Sequence, residues 1–280
     1  MSDITPILKW IGGKRKLFKN IFSFFPKKIM NYHELFIGGG SVLLGLLEAQ
    51  KRNEIIVEKY IYAYDSNPIL IAFYKQIQTD YNKLYKKVLK LKNHLINLPT
   101  DEEKSLYYYN IRTLYNNSEI NLEKIAMFVF LNKTCFRGLF RLNKSGKFNV
   151  PYGNYKNPKI INEQHLKNVS ELIKDVKFIC CDFENVKNIK KKDFVYMDPP
   201  YVPEKKGGFV NYNSSGFTKE KHEALFKICS NLKCKWILSN SNTDTVKQSL
   251  KKFNIQEIIA RRAINCNNPE AKTKELIIFN

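Results

Sequence analysis

The sequence lacks the features of a secreted, metal-binding or membrane-spanning protein. No apolar run approaches the roughly 20 residues needed to cross a bilayer, and the N-terminus has no charged-then-apolar leader with a cleavage site. The cysteines form no C-x-x-C pair and have no histidine at metal-ligand spacing, so we predict no zinc or other metal site. We therefore expect a soluble, intracellular protein that is not secreted and keeps its cysteines reduced and mostly buried. They are Cys135, Cys180, Cys181, Cys229, Cys234 and Cys266.

Acidic residues are scarce compared with basic ones. The 280 residues include 26 Asp and Glu against 47 Lys and Arg, a formal net charge of +21. A polyanion is the natural partner for such a field, nucleic acid first and an acidic membrane surface second. A genome biased toward Lys and Asn codons is the alternative source of the excess. With 44% hydrophobic residues and no internal repeat or low-complexity linker, the chain suits one large α/β domain or a domain with an insertion.

The first third of the chain predicts the opening of a Rossmann-like sheet. A strand from Tyr32 leads into the glycine loop of residues 36–40 and then an apolar helix. The glycines do not complete G-x-G-x-x-G, so a nucleoside-type cofactor is favoured and a nicotinamide oxidoreductase is disfavoured. A second strand ends at Asp65, at the interval expected for a group that binds ribose hydroxyls. An aspartate that caps the next helix is the competing interpretation.

A second glycine pair lies near the N-terminus. Gly12 and Gly13 stand between Trp10 and a basic cluster that begins at Lys14. Glycines let a backbone come close to a ligand, and Lys14 could meet a carboxylate or a phosphate. An ordinary surface turn explains the same residues equally well.

From about residue 69, three predicted helices interrupt the alternation of strands and helices. Apolar residues from Leu84 to Leu98 recur at helical spacing, Thr100 with Glu103 forms a capping-box pattern, and Asn121 is placed to cap a third helix. We therefore predict an α/β protein with a doubly wound, Rossmann-like sheet and an inserted helical subdomain. The expected boundaries are residues 1–68 and 160–280 for the catalytic domain and 69–159 for the insertion.

The insertion closes on a predicted β-hairpin that turns around Asn143 and Gly146. Basic side chains alternate with Phe and Leu on its arms, which suits DNA, because arginine can read guanine edges and an apolar residue can wedge between base steps. A structural hairpin with ordinary surface charges is the alternative. The basic residues are Arg137, Arg141, Lys144 and Lys147.

The second half of the chain returns to strands that end in polar or aromatic residues. A strand over residues 176–181 ends in Asp182 and Phe183, which suit the amino edge and the face of an adenine ring. A helix capped by Thr218 and strands over residues 236–238 and 275–279 follow. The Gly- and Asn-rich residues 207–216, with Phe209 and Tyr212, are predicted to cover the site.

The apolar strand of residues 194–197 ends in Asp198, Pro199, Pro200 and Tyr201. These residues suit transfer of an electrophile to a planar exocyclic amine, whose lone pair is delocalised into its ring. Asp198 and the Pro199 carbonyl could accept the two N–H bonds and draw the lone pair out of conjugation, while Tyr201 stacks on the ring. The alternative is a strand that ends in a Pro-Pro turn, with Asp198 capping a local group.

Taken in order, five motifs resemble the Dam-type (D12 class) DNA adenine-N6 methyltransferases, and the resemblance spans nearly the whole chain. The motifs are K-W-x-G-G-K from Lys9 to Lys14, F-x-G-G-G from Phe36 to Gly40, Asp65, R-G-L-x-R with F-N-V-P-Y-G, and D-P-P-Y. The resemblance implies S-adenosyl-L-methionine as methyl donor, a target-recognition insertion and a flipped-out adenine of double-stranded DNA as acceptor. It implies a cofactor pocket formed by Trp10, Lys14, Phe36, Gly38, Gly40, Asp65, Asp182, Phe183 and Asp198. DNA contacts are expected at Arg137, Leu139, Arg141, Lys144, Lys147 and Pro151.

One position departs from the family pattern. Dam-type enzymes that read GATC usually carry aromatic-Asn-Gly-Leu-x-Arg, whereas Arg137 stands here in place of the asparagine. A cationic donor cannot reproduce the hydrogen bonds of a neutral amide, so the site is open between GATC and another short palindrome such as CATG.

Two other functions are weighed against DNA methylation. D-P-P-Y serves any planar amine, so a methyltransferase for RNA adenine or a protein amide is one rival. A catalytically silent DNA-binding protein is the other, although Asp65 and Asp198 argue against it. The sequence leaves open whether a companion restriction endonuclease exists and whether the protein is a monomer or a dimer.

Overall fold

The fold is an α/β sheet with helices packed on it, seen in a computed structural model that describes residues 4–203, 217–261 and 272–280. In chain order the strands are β1 (Lys28–Ile29), β2 (Tyr32–Glu34), β3 (Ile56–Val57), β4 (Ile61–Asp65), β5 (Val176–Cys180), β6 (Phe194–Met197), β7 (Lys235–Ser241), β8 (Asn254–Arg261) and β9 (Lys272–Phe279). The helices are α1 (Phe18–Phe22), α2 (Ser41–Lys51), α3 (Pro68–Asn97), α4 (Asp101–Asn117), α5 (Leu122–Thr134), α6 (Glu163–Leu172), α7 (Lys219–Asn231) and α8 (Asp244–Ser249).

The main sheet has the strand order β5-β4-β2-β6-β7-β9-β8 across the described residues. The first five strands are parallel, and β9 is antiparallel to both β7 and β8. The chain starts in the middle at β2, moves outward to β5, and returns to β6 on the other side. This order confirms the predicted doubly wound sheet, and its switch point lies between β2 and β6. Ligands bind at such a switch point, outside the carboxyl ends of the strands.

Apolar residues cover both faces of this sheet. β6 is buried along its whole length, as expected of a central parallel strand. Tyr196 joins the larger apolar cluster, together with Tyr32, while Val195 and Met197 join a smaller cluster that includes residues of α7. Because side chains alternate along a strand, Tyr32, Glu34 and Tyr196 lie on one face of the sheet.

The three predicted helices of the insertion are confirmed. Thr100 and Glu103 form a reciprocal capping box, and the Asn121 side chain accepts a hydrogen bond from the Lys124 amide. The first of the helices is longer than predicted: α3 begins at Pro68 and continues across a kink at Asp80, where φ is −159° and ψ is 80°. Its two halves belong to one apolar cluster that also contains sheet residues. The boundary proposed at residue 69 therefore falls at the start of the first half of α3, before the kink, and stays a prediction.

The predicted hairpin is present as two antiparallel arms with isolated bridges and no regular strands. The bridges pair Cys135 with Tyr152 and Leu142 with Phe148. At the turn, the Asn143 side-chain oxygen accepts hydrogen bonds from the amides of Ser145 and Lys147. The side chain of Asn143 thus fixes the turn locally, as an Asx turn does.

Other predictions have mixed outcomes. Thr218 caps α7, and the strands predicted near residues 236 and 275 are β7 and β9. Cys135, Cys229 and Cys234 are buried, but Cys180 is exposed and Cys181 is half-buried; Cys266 lies outside the described residues. The predicted cover over residues 207–216 also lies outside them. No helix in the described part of the chain is both long and apolar enough to cross a membrane.

Candidate active site

Asp198 lies at the end of β6, beside the switch point of the sheet. Its Oδ2 is 2.9 Å from Lys14 Nζ, and the two side chains are 18% and 4% exposed. Its Oδ1 is buried and has no hydrogen-bond partner among the described residues. A buried carboxylate oxygen ordinarily has a donor, because an unpaired buried polar atom costs about 1–3 kcal/mol. One oxygen of Asp198 is therefore held by the protein and the other can accept a hydrogen bond from a ligand.

Lys14 is held in three ways. In addition to its contact with Asp198, its ammonium donates to the Gly12 carbonyl at 2.7 Å and stands 4.9 Å from the centre of the Tyr201 ring. The φ of Gly12 is +84°, a region that favours glycine, so the turn that supplies this carbonyl depends on the residue type. The Gly-Gly-Lys segment is thus part of the site and more than a surface turn.

Two carboxyl groups near the switch point have raised pKa values. Burial raises the pKa of Asp198 above its ordinary value, and the Lys14 ammonium opposes that rise. Burial raises the pKa of Glu34 to about 8, and the nearby charge of Asp198 adds to the effect. The Tyr32 hydroxyl donates to Glu34 at 2.7 Å and partly offsets it. The site therefore contains one carboxyl paired with a cation and one that is protonated through much of the neutral range.

Tyr201 follows the two prolines and is anchored to the last strand of the chain. Its hydroxyl donates to Glu275 Oε2 at 2.9 Å. Asn240 and Ser241 hold the next residue from the end of β7: the Asn240 side chain accepts the Val202 amide at 3.1 Å, and the Ser241 hydroxyl donates to the Val202 carbonyl at 2.6 Å. The segment that follows the Pro-Pro kink is therefore fixed by residues of both β7 and β9.

The glycine loop after β2 is tightly packed. Gly40, with φ +73°, begins α2, and a Cβ at this residue would lie 2.6 Å from the Tyr74 hydroxyl oxygen. A Cβ on Gly38 or Gly39 would lie 2.8 Å from an atom of Trp10. Side chains larger than hydrogen would displace these aromatic neighbours, so the loop brings bare backbone to the edge of the sheet.

Asp65 ends β4 beside this loop. Its two carboxylate oxygens accept the amides of Gly38 at 3.1 Å and Asn67 at 2.9 Å. Burial raises the pKa of Asp65 to about 6, and the two amide bonds limit that rise. Each oxygen retains a second lone pair, so Asp65 can accept further hydrogen bonds as well as fixing the glycine loop.

Asp182 and Phe183 lie at the next strand end, where aromatic rings gather. The Phe183 ring is 5.3 Å from that of Phe36 and 5.6 Å from that of Phe217. Asp182 pairs with Lys221 Nζ at 3.0 Å, and its side chain also accepts the Glu184 amide. The carboxylate is thus oriented beside a cluster of aromatic rings.

The predicted DNA contacts of the hairpin differ in how far they are exposed to solvent. Arg137 is exposed and has a φ of +57°. Its backbone amide donates a hydrogen bond to the Tyr155 hydroxyl at 2.9 Å. Arg141 is half-buried, and its Nε donates to Asn149 Oδ1 at 2.8 Å, which orients the guanidinium. Lys144, Lys147 and Pro151 are exposed and Leu139 is half-buried.

The expectation that an apolar hairpin residue can wedge into DNA needs a correction for most candidates. Phe140 and Phe148 are 4% and 3% exposed and pack in the larger core, so they cannot reach a base step. Phe136 is the exposed aromatic residue of this segment, at 46%. The alternation of basic and apolar residues therefore has two causes: apolar residues such as Phe140 and Phe148 pack into the core, and basic residues stay at the surface.

Comparison with known proteins identifies the family. A sequence model described as "D12 class N6 adenine-specific DNA methyltransferase" matches residues 10–264. The chain belongs to this family. It is 38% identical to the Type II methyltransferase M.MjaIII of Methanocaldococcus jannaschii, over 99% of each chain. It is 32% identical to the Type II methyltransferase M1.LlaDCHI of Lactococcus lactis and 30% identical to the DNA adenine methylase of Haemophilus influenzae, covering 99% and 97% of this chain and 96% and 92% of theirs.

The enzyme is therefore an adenine-specific DNA methyltransferase of the α/β methyltransferase fold, with S-adenosyl-L-methionine as its methyl donor. The residues at the carboxyl edge fit this cofactor, which carries a ribose, an adenine and a charged methionine group. Asp65 offers a carboxylate next to the half-buried backbone of Gly38, and Asp182 lies beside a cluster of aromatic rings. Asp198 has a buried oxygen with no partner in the part of the chain that the structure describes.

Two residues of this edge had no role in the sequence analysis. Glu34 precedes the glycine loop, and only its position in the parallel pair with Tyr196 brings it close to Asp198. Glu275 is distant in sequence, and no local motif connects it with Tyr201.

Proposed function

We propose that this enzyme methylates N6 of an adenine that is flipped out of duplex DNA into a pocket between Asp198 and Tyr201. The observation that carries the proposal is the state of Asp198: Lys14 holds Oδ2 at 2.9 Å, while Oδ1 is buried and has no partner within residues 4–203, 217–261 and 272–280. A flipped base is read by hydrogen bonds to its edge and by stacking on aromatic side chains. Oδ1 is the acceptor we assign to the exocyclic amine.

The roles follow from the groups present. Asp198 and the Pro199 carbonyl accept the two N6 hydrogens, and Tyr201 stacks on the ring. When both N–H groups donate to these acceptors, the nitrogen lone pair is less delocalised into the ring and is more available for attack. Holding the base beside the methyl donor replaces a random encounter with a fixed geometry. S-adenosyl-L-methionine supplies the electrophilic methyl group when it is bound. One N6–H bond breaks as the new N–C bond forms, with the proton released to solvent, and no covalent enzyme intermediate is needed.

We assign the cofactor to the same edge of the sheet. Asp65 accepts hydrogen bonds from the ribose hydroxyls. Asp182 accepts the amino edge of the cofactor's adenine, and Phe183 contacts the face of that ring. Phe36 completes the aromatic cluster around the ring. Trp10 and Lys14 border the methionine end. Asp65 is supported by its place next to the Gly38 amide, since a group at this strand end lies where ribose is held in doubly wound folds.

We infer that the hairpin reads a short palindrome centred on AT, either GATC or CATG. The guanidinium of Arg141 is oriented by Asn149, which suits two parallel hydrogen bonds to a guanine. Arg137 replaces the amide usual in GATC readers and decides between the two sites. Phe136, exposed beside it, is the residue placed to wedge into the duplex.

Cellular context is a further proposal. A net charge of +21 suits a protein that works on DNA inside the cell, and we place the enzyme there. The relatives named as Type II methyltransferases make a companion restriction endonuclease a reasonable expectation for this chain. An enzyme that methylates one strand of a palindrome at a time can act as a monomer, so we expect a monomer and accept a dimer as an alternative outcome.

The test is methyl transfer to defined substrates. Duplex oligonucleotides with a single GATC, CATG or scrambled site, and an RNA duplex containing the same site, are incubated with enzyme and labelled S-adenosyl-L-methionine. Digestion and mass spectrometry should find N6-methyladenine in one of the DNA duplexes and little in RNA. Methylation of RNA alone, or of all DNA duplexes equally, would contradict the proposed substrate.

A further inference from the structure

Glu275 brings a carboxylate to the active site from the far end of the chain. β9 is antiparallel to β7, and Glu275 lies opposite Ser241. The beginning of an antiparallel strand lies at the edge where its parallel neighbours end. Glu275 is therefore at the same carboxyl edge as Asp198, although 77 positions separate them in the numbering.

The contacts of Tyr201 show what this carboxylate does. The phenolic hydroxyl donates to Glu275 Oε2 at 2.9 Å, and the Lys14 ammonium stands 4.9 Å from the ring centre. One contact fixes the tip of the side chain, and the other acts on the face of its ring. Together they hold the ring in one orientation, which matters because a misplacement of about 1 Å can slow an enzyme about a hundredfold.

We propose that Glu275 is a positioning residue for the target adenine and acts through the Tyr201 ring. The inference rests on the proposed function, in which Tyr201 stacks on the flipped base. The carboxylate accepts the phenolic proton and sets the plane on which the base stacks, and it does not itself touch the reacting atoms.

Glu275 also acts on Asp198 through its charge. The titratable groups that influence Asp198 are Lys14, Tyr201 and Glu275 directly, with Glu34 and Tyr196 in the same network. Lys14 lowers the pKa of Asp198 and the Glu275 carboxylate raises it. Removal of the Glu275 charge should therefore leave Asp198 ionised down to a lower pH.

The test is a double-mutant cycle of Tyr201→Phe and Glu275→Leu, read as the single-turnover rate of methyl transfer to duplex DNA at pH 8. A hydrogen bond to a charged group contributes about 1.5–3 kcal/mol, so each variant should lose roughly ten- to hundredfold in rate. The double variant should be no slower than the slower single variant, because both changes break one contact. The KM for DNA should change little, because binding relies on phosphate contacts.

Glu275→Gln separates the hydrogen bond from the charge. Its amide oxygen can still accept the Tyr201 proton, so we expect a rate within about threefold of the wild type at pH 8. The acid limb of its pH–rate profile should move to lower pH, a change that a purely structural role for Glu275 would not produce. Glu257→Leu is the matched control: Glu257 is in the adjacent strand, in exposed pairs with Lys247 and Lys274, and its loss should leave the rate unchanged.

Three results would overturn the inference: full activity in Glu275→Leu, losses that multiply in the double variant, or a Gln variant as slow as the Leu variant. Thermal unfolding of each variant checks that it folds, and the isosteric Gln variant keeps the test informative if Glu275→Leu does not. Asp198→Ala runs in the same assay. If Asp198→Ala is inactive and the cycle shows no coupling, only the role of Glu275 fails; if Asp198→Ala is fully active, the proposed function itself fails.

Discussion

Replacement of Lys14 by methionine is the sharpest perturbation of the site, because it removes one charge and keeps the length of the side chain. Lys14 is 3% exposed, and it is the cation that lies against Asp198. In Lys14→Met the Asp198 carboxylate would lose its ion pair, and its other oxygen has no partner among the residues that the structure describes. A protein with a buried, unpaired carboxylate is less stable, unless that carboxylate takes up a proton.

The size of the effect follows from the burial of the pair. Breaking a buried ion pair by removing one partner costs about 3–5 kcal/mol, and one pKa unit corresponds to about 1.4 kcal/mol. Protonation relieves part of that cost, so we expect the pKa of Asp198 to rise further when the Lys14 ammonium that opposes its rise is removed. Since a carboxyl with a raised folded-state pKa is most stable protonated, the destabilisation should be largest at high pH and should shrink as the pH falls.

Two assays check this prediction. Urea unfolding of Lys14→Met and of the wild type at pH 6 and pH 9 gives the difference in their free energies of unfolding. Single-turnover rates of methyl transfer from pH 5.5 to 9.5 give the acid limb of the pH–rate profile of each protein. The limb of the variant should lie at higher pH, because an ionised Asp198 is needed to accept the amine. Lys28→Met is the control, because Lys28 forms an exposed pair with Glu58 and its loss should change little. A pH–rate profile of Lys14→Met that matches the wild type would refute the reasoning.

Three further outcomes are expected. Burial raises the pKa of Glu34 from 4.5 to about 8, so the stability of the wild type should fall as the pH rises from 5 to 8, by an amount on the order of a few kcal/mol. In Glu34→Gln the stability should depend less on pH. If thermal unfolding shows the same pH dependence for the variant and the wild type, the assignment is contradicted. Gly40→Ala should unfold at a lower temperature than Gly146→Ala. Both glycines have a φ of +73°, but an added Cβ would meet a neighbour, Tyr74, only at Gly40. Equal unfolding midpoints would argue against the contact with Tyr74. DNA affinity should fall steeply between about 50 and 200 mM salt, and a flat affinity would mean that the positive charge does not meet phosphate.

Local patterns predicted most of the elements around the site. β6 has the predicted residues, because an apolar run followed by two prolines can hardly continue a strand. The caps at Thr100, Asn121 and Thr218 were predictable for the same reason, since each depends on neighbours within three residues. Sequence patterns therefore located Asp198, Asp65 and the glycine loop.

Features that depend on distant residues were not predictable in this way. The contact between Glu275 and Tyr201 exists only because β9 inserts antiparallel beside β7. Burial of Phe140 and Phe148 depends on how the hairpin packs into the larger apolar cluster, and alternation of basic and apolar residues does not tell which apolar residues are buried. The raised pKa of Glu34 likewise follows from burial and from Asp198 in a neighbouring strand.

The most direct measurement of the central claim is methyl transfer by Asp198→Ala, made together with DNA binding on the same duplex. Asp198 is the group to which we assign the target amine, and the DNA contacts that we propose lie elsewhere, in the hairpin. We predict that N6-methyladenine formation is lost while the affinity for duplex DNA stays within a few-fold of the wild type. Unimpaired turnover by Asp198→Ala would contradict the account.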